Sequence, residues 1–301
     1  MAPSMSVMAK KVSAAAAIVL FLGLSNAHSA PAGFNKLIFY DDFSTSLTDN
    51  WKFDLGTSYQ GGAPAWGTGE IQVYTDSSSS IDVDNGNLVI TPLNSTGKWT
   101  SARIETMEEN DWVCPPGGRL IVVASIKLGD NPEKSQAGIW PAFWAVGSAY
   151  RGNYQNWPKI GEIDILESPN GAPKIWHTLH CGTAPGGPCH ETNGIGGHAD
   201  FSRGKFHIVS MEINRGTNDW KSESITYSVD GKKTITVTGG DIGDEEAWKG
   251  LAHEPKFLLL NVAVGGSFPN AIAGAQTPNE NTIGGKGSAM EVEYVAVYST
   301  S

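Results

Sequence analysis

Gly161–Ser168 reads GEIDILES, with the carboxylates Glu162, Asp164 and Glu167 set in a run of branched apolar residues. Ile160–Leu166 is rich in Ile and Leu, has Gly161 as its one breaker, and predicts a buried strand. Side chains alternate along a strand, so Glu162 and Asp164 share a face while Glu167, at an odd offset from Glu162, falls on the other. One extra residue near Ile165–Leu166, a β-bulge, returns Glu167 to the first face. A helix does worse, because offsets of two and five spread the acids around it. Three acids on one strand face repel one another and resist desolvation, so stability does not account for them. A calcium loop would show turn residues rather than a β-rich strand. Two carboxyl groups flanking a bond are what glycoside hydrolysis requires.

Working outward, short apolar segments recur with turn signals between them. Leu37–Tyr40, Ile81–Val83, Leu88–Thr91, Leu120–Leu128, Gly138–Val146, Lys174–His180, Phe206–Ile213, Ile225–Val229, Lys233–Val237, Phe257–Val264 and Met290–Tyr298 all read as further strands. Asn85-Gly86 and Asp230-Gly231 stand between strand pairs and predict hairpins. Many short strands without intervening helices imply antiparallel sheets packed as an all-β sandwich. Asp244–Leu251 is the one helical candidate. No repeat or Pro/Ser linker divides the chain, which reads as one domain over residues 31–301.

Residues 1–30 read as a secretory signal peptide: Lys10 and Lys11, an apolar stretch Val12–Leu24, then small residues through Ala30. No other stretch is apolar enough to span a bilayer, and Tyr298–Ser301 lacks the tail of a lipid-anchor signal. The expected mature protein is secreted, extracellular and monomeric. The whole chain has a net charge of -10, which loss of Lys10 and Lys11 makes more negative, and with no basic run this argues against nucleic acid and anionic membrane as partners. Such a surface suits a neutral polymer, and ten Trp supply stacking surfaces for one.

Cys181 and Cys189 bracket a short loop that a disulfide can close outside the cell, leaving Cys114 either buried as a small apolar side chain or available for pairing. Their spacing makes no metal site. Asn94 opens the N-glycosylation sequon Asn94-Ser95-Thr96. In Ile139–Val146, alternation sets Trp140, Ala142 and Trp144 on one face, where Trp140 serves equally as core or as sugar platform.

GEIDILE resembles the active-site strand of glycoside hydrolase family 16, in the bulged ExDxxE form of its laminarinase-like members. WGTGEIQVY at 66–74, TSARIET at 100–106, GIWPAFW at 138–144 and NVAVGG at 261–266 are similar to the family's other segments in order and spacing, over nearly the whole mature chain. The resemblance implies a concanavalin A-like β-jelly roll of two antiparallel sheets with a substrate cleft on the concave face. It implies retaining hydrolysis of a β-glucan, β-1,3 or mixed β-1,3/1,4, with no cofactor required. Glu162 would be the nucleophile, Glu167 the general acid/base and Asp164 the helper between them. Trp144 and Trp157 match cleft positions, His180 a hydrogen-bonding partner of the acid/base or a sugar, and Arg103 a cleft donor; Glu70 is a weaker match. Some members hold a calcium ion opposite the cleft, for which Asp41, Asp42 and Glu293 would be the acids here. Ile213 and Phe268 stand where tryptophans are usual, and Phe268 is expected to weaken one aromatic subsite. Two rivals share the sandwich: transglycosylases, which resemble the unbulged ExDxE, and glucan-binding lectins, which lose the carboxylates kept here.

Overall fold

A computed structural model describes residues 30–301, so the signal-peptide expectation lies, but for Ala30, outside the described residues. Every expected strand forms within two residues of its expected ends. Asn85 and Gly86 have φ of 55° and 81°, and Asp230 and Gly231 50° and 74°. Both central residues of each turn are thus left-handed, as a type I′ hairpin demands.

Among the described residues the strands build two large sheets. One pairs Ile195–Asp200, Lys174–His180, Glu162–Glu167, Ile139–Gly147, Lys256–Val264, Arg103–Thr106 and Trp51–Phe53 in that spatial order. The other runs Lys232–Thr238, Ser224–Val229, His207–Asn214, Arg119–Leu128, Met290–Ser299, Asn87–Ile90 and Ile81–Asp84, with Lys36–Asp41 also paired to Met290–Ser299. All pairings within these two sheets are antiparallel.

The core fills the space between the sheets. Phe143, Ala145, Ile163 and Leu179 from the first meet Val122, Ala124, Val209 and Met211 from the second, all fully buried in one cluster. Alternation then turns the other residues of the first sheet outward, where the cleft lies. Lys256–Val264 is buried along its whole length, since it is covered on both faces.

Three features went beyond the sequence reading. The single helical candidate forms as Glu245–Ala252, capped by the Asp244 side chain on Ala247 N–H, but short helices also form at Gly239–Ile242 and Ser267–Ala273. Ile195–Asp200 adds an edge strand beside Lys174–His180. Val73–Tyr74, Lys98–Ser101 and Leu93–Ser95 make a small third sheet. Among the described residues no helix is long and apolar enough to cross a membrane.

The Cys181–Cys189 disulfide is formed, and Cys114 is buried, its thiol pushed up to about 12 by burial. Asn94 is exposed on Leu93–Ser95. Of the acids named for calcium, Asp41 accepts from Phe43 N–H, Asn50 and Trp51, Asp42 from Ser44, and Glu293 from Ser125.

Candidate active site

The odd offset in GEIDILES is resolved by a bulge. Against Ile139–Gly147, Glu167 pairs with Ala142, Leu166 with Phe143 and Asp164 with Trp144, so Ile165 is the extra residue. The register against Lys174–His180 shifts in the same interval. Ile165 and Leu166 both enter the core, and Glu162, Asp164 and Glu167 all line the cleft on the opposite face. His177, on the neighbouring strand, fixes the bulge: its Nδ1 donates to the carbonyl of Ile165 at 2.7 Å, and its ring stacks on Tyr227 at 4.6 Å. Burial pushes His177 down to about 4, so the ring is neutral at working pH. Gly161 starts the strand with φ of 72°, and a Cβ there would lie 2.4 Å from the carbonyl oxygen of Gly250. Only glycine permits that approach.

All three acids hold their protons more tightly than usual. Burial is the main cause for each; for Asp164 the carboxylates of Glu167 and Glu162 add to it and carry the group well above the ordinary range. Glu167 is pushed up to about 7 by burial and by Glu162, against the opposing pull of His180 and of a hydrogen bond from Trp140. The site therefore holds a proton at Glu167 near neutrality, and the cluster titrates as a unit. The side chain of Trp157 hydrogen-bonds Glu162 and favours its ionised form.

The cleft has a volume of about 950 Å³ and crosses six strands, from Gly197 at the edge through Thr178, Asp164, Trp144 and Asn261 to Arg103. At the usual strand spacing that is roughly 24 Å, room for several sugar rings. Trp140 joins it with a catalytic-scale contact: its Nε1 donates to Glu167 Oε1 at 2.9 Å. Trp144 Nε1 donates to Asn261 Oδ1 at 2.8 Å, Asn261 Nδ2 donates to the Tyr74 hydroxyl, and that hydroxyl donates to Glu70. Glu70 also accepts from Thr68 and Gln72, so it anchors this chain from beneath. Phe268 packs edge-on against both Trp140 and Trp176, and so continues the aromatic wall with a smaller ring.

Arg103 and His180 both line the cleft, with partners that the sequence did not reveal. Arg103 reaches the cleft but is buried, donating through Nε to Asp54 and through a terminal nitrogen to Tyr59. Its guanidinium lies over Trp66 and Trp144, at 4.5 and 4.9 Å from the ring centroids, and it serves to hold those rings. His180 does face the acids, but its neighbour is Asp164 and not Glu167. Register sets His180 opposite Glu162 and Trp176 opposite Glu167, so His180 Nε2 comes to 3.4 Å from Asp164 Oδ2. Its Nδ1 pairs with Glu191 at 2.7 Å. Burial opposes a charge on His180, but Glu191, Asp164 and Glu162 together raise it to about 10. Glu162, Asp164 and His180 bring donor atoms within 4.8 Å of one another. The His180 ring stands between Asp164 and Glu191, so the group reads as a charge cluster bracketing one imidazole.

Sequence reasoning missed Glu191, whose partners lie ten and eleven residues back, and the tyrosines Tyr59, Tyr150 and Tyr154. Tyr59 stacks on Tyr154 at 4.3 Å and packs edge-on against Tyr150, joining two loops beside the cleft. Their signal was aromatic content in loops, which carries no periodicity.

Paired carboxyls, one protonated near neutrality, at the floor of an aromatic cleft on a β-sandwich define a glycoside hydrolase. Known proteins agree. Residues 67–212 match the family model described as the XgeA-like catalytic domain of glycoside hydrolase family 16. The crystal structure of an endo-1,3-β-glucanase from Streptomyces sioyaensis superposes with a TM-score of 0.84 at 44% identity, over 91% of this chain and 99% of that one. Glucan endo-1,3-β-glucosidase A1 of Niallia circulans is 30% identical over 89% of this chain and 38% of its own length. The clotting factor G alpha subunit of Tachypleus tridentatus is 27% identical over 93% of this chain and 36% of its own. The chain thus spans between a third and two-fifths of those two relatives. It belongs to glycoside hydrolase family 16, on the laminarinase-like side.

Proposed function

We propose that this chain is a secreted endo-β-glucanase that cuts β-1,3 or mixed β-1,3/1,4 glucan with retention of configuration. The observation that carries the reading is the bulge at Ile165, which places Glu162, Asp164 and Glu167 on one cleft face. Glu162, ionised and hydrogen-bonded by Trp157, attacks the anomeric carbon; the bond to the leaving sugar breaks, and its oxygen takes the proton of Glu167. Glu167, now a carboxylate, removes a proton from water, whose oxygen attacks the same carbon and releases Glu162. Asp164, which burial and the neighbouring Glu167 and Glu162 push towards its protonated form, limits the negative charge of the cluster and orients Glu162.

The length of the cleft supports cutting within a chain, and its tryptophans offer flat faces to sugar rings. The printed activity of the Streptomyces sioyaensis relative supports a β-1,3 linkage. The disulfide supports an oxidising destination, as the expected signal peptide does. A panel of laminarin, barley mixed-linkage glucan, cellulose, agar-type galactan and xyloglucan tests the substrate. Short oligosaccharides from laminarin are expected; activity confined to galactan or xyloglucan would overturn the assignment.

A further inference from the structure

Glu191 is a fully buried acid beside the site that the mechanism above leaves without a task. Its side chain is 0% exposed. One carboxylate oxygen accepts the N–H of Cys181 at 2.8 Å and the other pairs with His180 Nδ1 at 2.7 Å. Its own N–H and C=O both bond Gly186, at 2.6 Å each, inside the loop that Cys181–Cys189 closes. The carboxylate is therefore fastened from two sides before it meets the histidine. On the far side of the ring, His180 Nε2 stands 3.4 Å from Asp164 Oδ2, a buried oxygen with no hydrogen-bond partner.

We propose that Glu191 is a positioning residue that keeps His180 in its imidazolium form and aimed at Asp164, so that a cation stands beside the acid cluster. A buried imidazole hydrogen-bonded to a carboxylate keeps its proton; with that carboxylate gone, desolvation favours the neutral ring. The charged groups that face His180 are Glu162, Asp164 and Glu167 from the acidic strand and Glu191 from just beyond the disulfide loop; Arg103 acts on Glu162 from across the cleft. The imidazolium draws Glu167 towards ionisation, whereas Glu191 itself is not among the groups that bear on Glu167. Loss of Glu191 should therefore reach Glu167 chiefly through His180, whose neutral ring no longer draws Glu167 towards ionisation, and Glu167 should then hold its proton to higher pH.

The kinetic part of this inference rests on the assignment of Glu167 as acid/base, while the protonation state of His180 does not. Two measurements on Glu191→Gln separate them. In an NMR titration of the His180 ring, assigned by its loss in His180→Gln, the wild-type ring stays charged through pH 8. In Glu191→Gln its midpoint falls by two pH units or more. In the pH profile of kcat/KM on laminarin, the alkaline limb of Glu191→Gln moves up by half a unit or more. His180→Gln moves the limb in the same direction, and adding Glu191→Gln to it moves the limb by less than Glu191→Gln does alone. A uniform fall in kcat with both limbs in place, or a His180 titration unchanged in Glu191→Gln, would overturn the proposal. If the wild type cuts neither laminarin nor barley mixed-linkage glucan, the proposed function fails and the NMR titration alone decides the role of Glu191. If Glu191→Gln does not fold, a wild-type His180 that titrates at or below its ordinary 6.5 is enough to overturn it.

Discussion

Trp140 directs its indole N–H onto Glu167 Oε1, 2.9 Å away, so the residue that walls the cleft also sets the charge on its general acid. The donor favours the carboxylate and opposes the burial that pushes Glu167 up. Trp140→Phe keeps a ring against Phe268 but removes that donor. Hydrogen bonds to charged groups contribute about 1.5–3 kcal/mol, so the alkaline limb of the pH–rate profile should rise by about one to two units. An unmoved limb in a folded, active variant would show that the contact does not tune Glu167.

The same acid links activity to stability. Above pH 7 the wild type buries an ionised Glu167, and Glu167→Gln removes that charge while keeping the shape. A carboxyl whose folded pKa is raised gives stability that is present at low pH and lost as pH rises through about 7. Glu167→Gln should therefore melt a few degrees above the wild type at pH 8, with the gap closing towards pH 5. Its turnover should fall by about two to four orders of magnitude. Thermal denaturation at the two pH values checks the first claim and initial rates the second.

His177 holds the bulge carbonyl of Ile165, and His177→Phe leaves that carbonyl unpaired beneath the acidic strand. The expected loss is about 1–3 kcal/mol at pH 7, read by urea denaturation. Because burial lowers His177 to about 4, its contribution is present above its ordinary 6.5 and lost as pH falls through about 4. The difference between variant and wild type should accordingly shrink on acidification. A constant difference would contradict the neutral, donating imidazole.

Cys181→Ser with Cys189→Ser removes a bridge with a sequence separation of 8. Loop-closure entropy for so short a loop amounts to about 2–3 kcal/mol, and the variant should be destabilised by that much. Denaturation of the variant beside the oxidised wild type measures it.

Much of this architecture could be read from the sequence because strand periodicity is rigid. An odd offset between acids that must share a face demands an extra residue, and Ile165 is that residue. Hairpins at Asn85-Gly86 and Asp230-Gly231 were legible for a similar reason, since few residues accept two left-handed positions in succession. Ile195–Asp200 was hidden by its glycines, yet a Cβ at Gly196 would fall 1.9 Å from the carbonyl oxygen of His177, so that edge pairing needs the residue that disguises it. Ser267–Ala273 was hidden by Pro269 and by a length of 7 residues, too short for helical periodicity to show. His180 could be placed on the right face, but its partner depended on register, which only the pairing with Glu162–Glu167 fixes. Glu191 gave no signal at all, because its role comes from a loop folded back by a disulfide.

The central claim is that Glu162 and Glu167 act as nucleophile and acid/base on a β-glucan, by double displacement. Proton NMR of the first sugar released from laminarin, recorded before mutarotation, tests it most directly. The account predicts that the β-anomer appears first and the α-anomer grows in only as mutarotation proceeds. An α-anomer formed first would mean direct attack by water, and would contradict the assignment of Glu162 as nucleophile.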